Sequence, residues 1–513
     1  MKLNMNKLYS RLSAVMLLFS ALAVTSCSDL LEESADEVLL NPETLNTVDA
    51  LEAVVSGTYT KLLNSARWSD FLIMGYGGDD ITTHSAINKI GFREADWRRQ
   101  TTLSQRIART YTGCYDVVTG SNIAINAREN IEGDQETIDR LIGEAHFLRG
   151  FAYMYLTMTY GRVPIQLESN SNAEIPRAEF IDVYTQIESD FLQAESLLPD
   201  VYPNLTVIGS RPSTATAKAF LARLYLYWGG FPLNDQSKYA LAAAKAKEVI
   251  DNEALYGYGL VENVGALFTE AGRFNQNEGV FTLVSCVTCG LANRTMGRLG
   301  MPPEARGWSE TFGEIAFFED MQADAALNGT EKRFNDTFVL EVIPRNENPV
   351  GAEWKSFSDP HPILRKVTGG DLTEPGTNNT VGEFNRYFMR YAEVLLTYAE
   401  ATGRSGGNDA MAWTALNRVR NRAGATAELT SGDGSLADLA FLERKWELAG
   451  ESLRMTDLVR TQTLGDALLR RNQGSQMETA DEVNNIIPAT GGENLYFSPI
   501  PQAQLDIAPW LND

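Results

Sequence analysis

Apolar residues recur at steps of three and four along two stretches of the chain, and between them the rhythm breaks into short runs. In the first stretch Leu141, Ala145, Leu148, Ala152, Tyr155 and Leu156 fall on one face of a helix. A helix over about 178–198 repeats the pattern with Phe180, Val183, Tyr184, Ile187, Phe191 and Ala194, and Pro199 stops it. Ser213 is placed to cap the helix that follows, and an alanine-rich helix is predicted over about 237–251. The second stretch runs from about 384 to 469. Tyr387, Tyr391, Val394, Leu395 and Tyr398 form one stripe, Ala412, Ala415, Leu416 and Val419 the next, and Gly424 marks its end. These are antiparallel helix pairs of roughly tetratricopeptide length without the strict consensus, so a degenerate repeat is expected.

Residues 253–383 have a different character, rich in Gly, Asn, Pro and Thr, with β-like runs at Val280–Val287 and Thr337–Ile343. They predict a loop-rich insertion with small strands and a few helices. Residues 70–102 read the same way, with a Gly75-Tyr-Gly-Gly-Asp-Asp80 run in which Asp79 and Asp80 are expected to cap a turn rather than bind a cation. Long irregular segments on a rigid helical frame are where function usually sits. The fold class expected is mainly α, with one compact unit made of 27–252, the insertion 253–383, and 384–513.

The N-terminus changes the picture. Lys2, Lys7 and Arg11 precede an apolar run from Leu12 to Val24, too short to span a bilayer, and the run closes on Ala23-Val24-Thr25-Ser26-Cys27. Residues 1–26 therefore read as a lipoprotein signal peptide, with Cys27 acylated and only that residue holding the mature chain to a membrane. The net charge is −23, and the signal peptide is basic, so the mature chain is more acidic still. Phosphate-rich partners such as nucleic acid are excluded by repulsion, whereas neutral sugars are not. After Cys27 only Cys114, Cys286 and Cys289 remain, and His84, His146 and His361 are scattered, so no metal site is expected. Cys286 and Cys289 are read as buried strand residues or a local disulfide.

Three stretches carry a resemblance: Gly143-Glu-Ala-His-Phe-Leu-Arg149 through Tyr160-Gly-Arg-Val-Pro164; Arg390-Tyr-Ala-Glu393 through Ala401 with Ala415–Gly424; and Glu443-Arg-Lys-Trp-Glu447 through Arg460, followed by Ser498-Pro-Ile-Pro501. Together they resemble the SusD/RagB family of Bacteroidetes surface lipoproteins. Ser28-Asp29-Leu-Leu-Glu-Glu33 after the cysteine is similar to the acidic export signal of such proteins. The resemblance implies an outer-membrane protein facing the cell exterior, which captures a nutrient, in most members an oligosaccharide, as the lid of a SusC-like TonB-dependent channel. It implies no catalysis and no cofactor, and calcium binding is not predicted. Arg390, Glu393, Glu400, Arg418 and Glu443 are expected to pair across helices as framework.

A sugar site needs flat aromatics beside amides and charged donors. Trp97, with Tyr76, Asn88 and Arg93 in the same loop-rich stretch, supplies this, as do Trp308 and Trp354 in the insertion; Trp228 and Trp446 lie in helical stripes and are expected in the core. A relative of the same architecture that binds peptides or another non-sugar nutrient is the alternative. A glycosidase would need two carboxylates about 5–9.5 Å apart. With 67 acids, counting alone decides nothing there, but no phosphate loop, nucleophile elbow or clustered metal ligands accompany them.

Overall fold

The computed structural model describes residue 42 and residues 45–66, 75–83, 90–169, 173–269, 271–274, 277–286, 299–305, 307–342, 352–368, 385–471 and 496–512. The helical frame begins with α1 (Val48–Ser65). After α2 (Ile90–Asp96) it continues through α3 (Gln105–Ala127), α4 (Gln135–Tyr160), α5 (Phe180–Leu197), α6 (Thr214–Trp228) and α7 (Lys238–Asp251). Each of α3 to α7 packs on its predecessor, α3 on α1, as in a solenoid of helix pairs. The last pairs come from the far end of the chain, where α7 receives α10 (Tyr391–Arg404), which in turn packs on α11 (Ala410–Arg422) and α12 (Leu436–Glu447).

The helix boundaries have local causes. Ser213 caps α6 through a reciprocal box, its hydroxyl accepting the Thr216 N–H at 3.4 Å while Thr216 Oγ1 accepts the Ser213 N–H at 3.1 Å. Helix α5 stops just before Pro199, and Gly424, at φ +101°, follows the end of α11, a conformation that side chains resist. No helix among the described residues is long and apolar enough to cross a membrane.

The frame closes through a two-stranded ladder. Strand β2 (Gly279–Leu283) pairs antiparallel with β8 (Arg386–Arg390), so both ends of the insertion meet beside α10. Phe281 and Phe388 of this ladder enter a cluster of rings with Phe147, Phe151 and Phe220 from α4 and α6, centroids 4.8–6.0 Å apart. These alternating residues make the strand a continuation of the helical core.

The insertion has a second core. Helices α8 (Ile315–Asn328) and α9 (Glu331–Thr337) carry Phe317, Phe318 and Phe334, which pack with Phe338, Trp354 and Trp446. Short pairs surround them: β1 (Ile81–Thr82) with β3 (Phe312–Gly313), β4 (Phe338–Val339) with β7 (Ile363–Leu364), and β5 (Glu341–Val342) with β6 (Ala352–Glu353). The run expected over Thr337–Ile343 is thus two short strands. Residues 70–102, read as loop-rich with small elements, contain β1 and α2, and their apolar residues find partners in this core. The chain then ends through α13 (Arg454–Arg460), α14 (Leu464–Leu469) and α15 (Gln502–Ile507). Trp228 and Trp446 are buried, as expected. Cys286 is disulfide-bonded, and burial pushes the free Cys114 thiol up, which leaves it inert. Cys27 and Cys289 lie outside the described residues.

Candidate ligand-binding site

The two segments that carry the expected aromatics are laced together. Ile81 pairs with Gly313 and Thr82 with Phe312 across β1 and β3. The Tyr76 hydroxyl donates to the Glu310 carbonyl at 3.0 Å and meets Thr311 Oγ1 at 2.5 Å, and Thr83 Oγ1 donates to the same carbonyl at 2.7 Å. Residues 76–83 and 307–313 therefore form one support, with Trp97 beyond one end and Trp308 on the other strand's approach.

Trp97 continues the hydrogen bonding of α2 by one residue, its N–H bonding the Arg93 carbonyl at 2.9 Å, and the left-handed Arg98 (φ +54°) ends the helix there. One side of the indole rests on the cluster formed by Met455, Leu458, Leu464 and Leu468 of α13 and α14. The guanidinium of Arg93 lies 5.0 Å from the ring centre and that of Arg99 5.8 Å. A half-buried ring with cations on it is held in orientation, each contact contributing about 0.5–1 kcal/mol at such an exposure.

Trp308 is set by its neighbours. A Cβ at Gly307 would fall 1.7 Å from the Met301 carbonyl, so only glycine permits this approach. Ser309 follows at φ +53° and donates its N–H to Met301 O at 3.0 Å. The tight turn leaves Trp308 half-buried against the second core rather than inside it.

Two expected ligand contacts are corrected. Tyr76 is fully buried, with its hydroxyl satisfied and its proton held tightly by burial, so it supports the loop from within. Trp354 is only 7% exposed and meets Phe318 edge-on at 5.6 Å, which makes it core. Asn88 lies outside the described residues. Arg93 and Trp97 are brought together, and Trp308 stands on the laced partner segment. Arg99 was missed by sequence reasoning; the signal was an arginine two positions beyond Trp97 on an adjoining turn. Asp79 and Asp80 do not cap a turn. Asp79 takes a two-pronged bond from Arg454, the first residue of α13, at 2.7 and 3.0 Å, and Asp80 accepts the Gly450 N–H in the turn after α12 at 2.9 Å.

Of the Arg and Glu residues expected as framework, Arg390, Glu393, Glu400 and Glu443 form buried chains of ion pairs, whereas Arg418 makes a partly exposed pair with Glu253. Glu393 bridges Arg223 and Arg444; Arg444 continues to Asp457, which pairs Arg460, which holds Glu400. Arg390 meets Glu278, Glu447 and Glu451, and Glu443 meets Arg333. Burial pushes the Glu447 carboxyl up, yet Arg422 and Arg390 hold it down to about 2. Glu400 and Asp457 are likewise held low against burial by their arginines. Carboxylates locked in the charged form and enclosed this way are suited to packing helices, not to giving and taking protons.

Known proteins with the same outline exist. Residues 29–226 match a family model described as "Starch-binding associating with outer membrane", and residues 332–512 match the model "SusD family". The chain is 26% identical over 514 residues to "SusD-like protein P2" of Formosa agariphila, covering 92% of this chain and 95% of that one. It is 25% identical to a "SusD-like protein" of Bacteroides ovatus, over 88% of this chain and 83% of that one. Among solved structures, a SusD homolog from Bacteroides thetaiotaomicron superposes with a TM-score of 0.75 at 21% identity, over 94% of this chain and 98% of that one. A "Laminarin binding SusD-like protein" gives 0.71 at 22% identity, over 91% and 98%. A structure solved with xylogluco-oligosaccharide gives 0.67 at 21%, over 90% and 98%.

Proposed function

This chain belongs to the SusD/RagB family, and from that membership we propose that it is a lipid-anchored, surface-exposed protein that captures an oligosaccharide for import. It binds without catalysis, sits in the outer membrane facing outward through acylated Cys27, and acts as the lid of a SusC-like TonB-dependent channel.

The observation that carries the sugar reading is the pair of half-buried tryptophans, Trp97 and Trp308, on segments outside the helical frame. A pyranose offers a flat face of C–H groups and a rim of hydroxyls, and an indole flanked by guanidinium donors matches both. Relatives named for laminarin binding or solved with xylogluco-oligosaccharide support the same ligand class.

The test is affinity electrophoresis of the soluble chain from Ser28 through neutral and acidic polysaccharides, with Trp97→Ala and Trp308→Ala alongside. Retardation lost in either variant is expected. Retention by none of them, with binding of peptides instead, would move the assignment to the peptide-binding alternative. For the anchor, Cys27→Ala is expected to abolish palmitate labelling and release the protein from the membrane fraction.

A further inference from the structure

A second opening, built by different elements, has a chemistry that glycan capture does not use. Between α8, α12, α13 and α14 lies a cavity of about 620 Å³, a size that holds small ligands. Neither Trp97, Trp308 nor Arg93 lines it. Its apolar wall includes Phe441 and Leu442 from α12 and Leu458 from α13. Leu442 is exposed, although it sits beside a buried helix face.

Two donors on the wall lack close acceptors. Trp446 is 5% exposed, and its indole N–H is buried with no hydrogen-bond partner among the described residues. Lys445 is also buried; its ammonium lies 4.1 Å from the Trp446 ring centre and 5.1 Å from that of Phe317. Its ion pair with Asp320 is long, at 3.9 Å. Burial lowers the Lys445 ammonium to about 8, and the carboxylates of Asp79 and Asp320 only partly offset it. Arg454, on the same wall, is already engaged by Asp79. Buried donors left unpaired are costly, so the site gains from a ligand that brings an acceptor. Nearer the solvent, Asp324 and Asp466 supply carboxylates that would hold an ammonium, beside the exposed guanidinium of Arg470.

We infer that this cavity binds a small zwitterion with an apolar body, of which an apolar α-amino acid is the simplest case. The ligand's carboxylate is received by Lys445 and the Trp446 N–H, its side chain lies on Phe441 and Leu458, and its ammonium meets Asp324 and Asp466.

The test is isothermal titration of the soluble chain from Ser28 with phenylalanine and leucine, beside phenylalaninamide, which lacks the carboxylate, and N-acetylphenylalanine, which lacks the ammonium. Phenylalanine is expected to bind, and each altered probe to bind about tenfold or more weakly. Lys445→Met is expected to weaken phenylalanine to the same degree. Ala323→Trp, placed at an exposed lining position so that the core is untouched, is expected to abolish it while leaving glycan retardation unchanged. Absence of heat with either amino acid at millimolar concentration, or phenylalanine binding undisturbed by Ala323→Trp, overturns the assignment.

Discussion

Replacing Glu393 by glutamine tests whether the buried ion pairs hold the helical frame in register. Glu393 accepts Arg223 Nε at 2.8 Å and Nη2 at 2.5 Å, and Arg444 Nη2 at 2.9 Å. All three side chains are at most 1% exposed. Glutamine keeps the shape but removes the one charge facing two guanidiniums. Arg223 is then left with the Phe388 carbonyl at 2.7 Å and the face of Phe220, whereas Arg444 still has Asp457 at 2.7 Å. Breaking a buried pair on one side costs about 3–5 kcal/mol, and the partner retained by Arg444 puts the expectation near about 3 kcal/mol. The half-exposed pair Arg418–Glu253, with side chains 33% and 34% exposed, is the comparison, and Arg418→Met should cost less than about 1 kcal/mol. Unfolding of the soluble chain by urea, followed by circular dichroism, reads both; guanidinium would screen the charges. A Glu393→Gln cost no larger than that of Arg418→Met would refute the view that α6, α10, α12 and α13 are locked by this network.

Trp354→Ala, at a core position packed on Phe318, is expected to cost about 3–5 kcal/mol in the same assay while leaving glycan affinity intact at temperatures where the variant is folded. A selective loss of glycan binding without loss of stability would return Trp354 to the site. Asp80 carries a pH signature, because burial raises its carboxyl to about 7 from an ordinary 3.8. The folded state then holds this proton more tightly than the unfolded chain, so its contribution is fully present near pH 4 and declines as pH rises towards 7. Asp80→Asn is expected to shift in relative stability by up to about 4 kcal/mol in the variant's favour between pH 4 and pH 8. A gap that does not change with pH contradicts this assignment.

The helices were legible in the sequence because their causes are local. The stripe from Leu141 to Leu156, the Ser213 cap, the Pro199 stop and the Gly424 terminus each act within a few residues, and the structure has all four. The pairing of Arg390, Glu393, Glu400 and Glu443 across helices was legible as a residue type, but their partners, such as Glu278 and Arg333, come from the insertion and could not be read from spacing. Within residues 70–102 one side chain was misread for the same reason. Tyr76 sits in a glycine-rich polar run, yet it is buried because Thr311, 235 positions later, supplies its partner. Trp354 looked exposed among polar neighbours and is buried because β5–β6 and α8 fold over it. Burial in a loop-rich insertion is decided by contacts far apart in the chain, and no periodicity records them. Trp97 and Trp308 escaped full burial through left-handed turns at Arg98 and Ser309, neither of which is a glycine whose sequence would announce it.

The central claim is that Trp97 and Trp308 hold an oligosaccharide. Its most direct measurement is calorimetric titration of the soluble chain with the glycan that retards it most, on the natural chain, Trp97→Ala, Trp308→Ala and the core control Trp354→Ala. The account predicts at least about tenfold weaker binding in the first two variants, as removal of an aromatic platform demands, and none in the control once folded. Unchanged affinity in both Trp97→Ala and Trp308→Ala would contradict it.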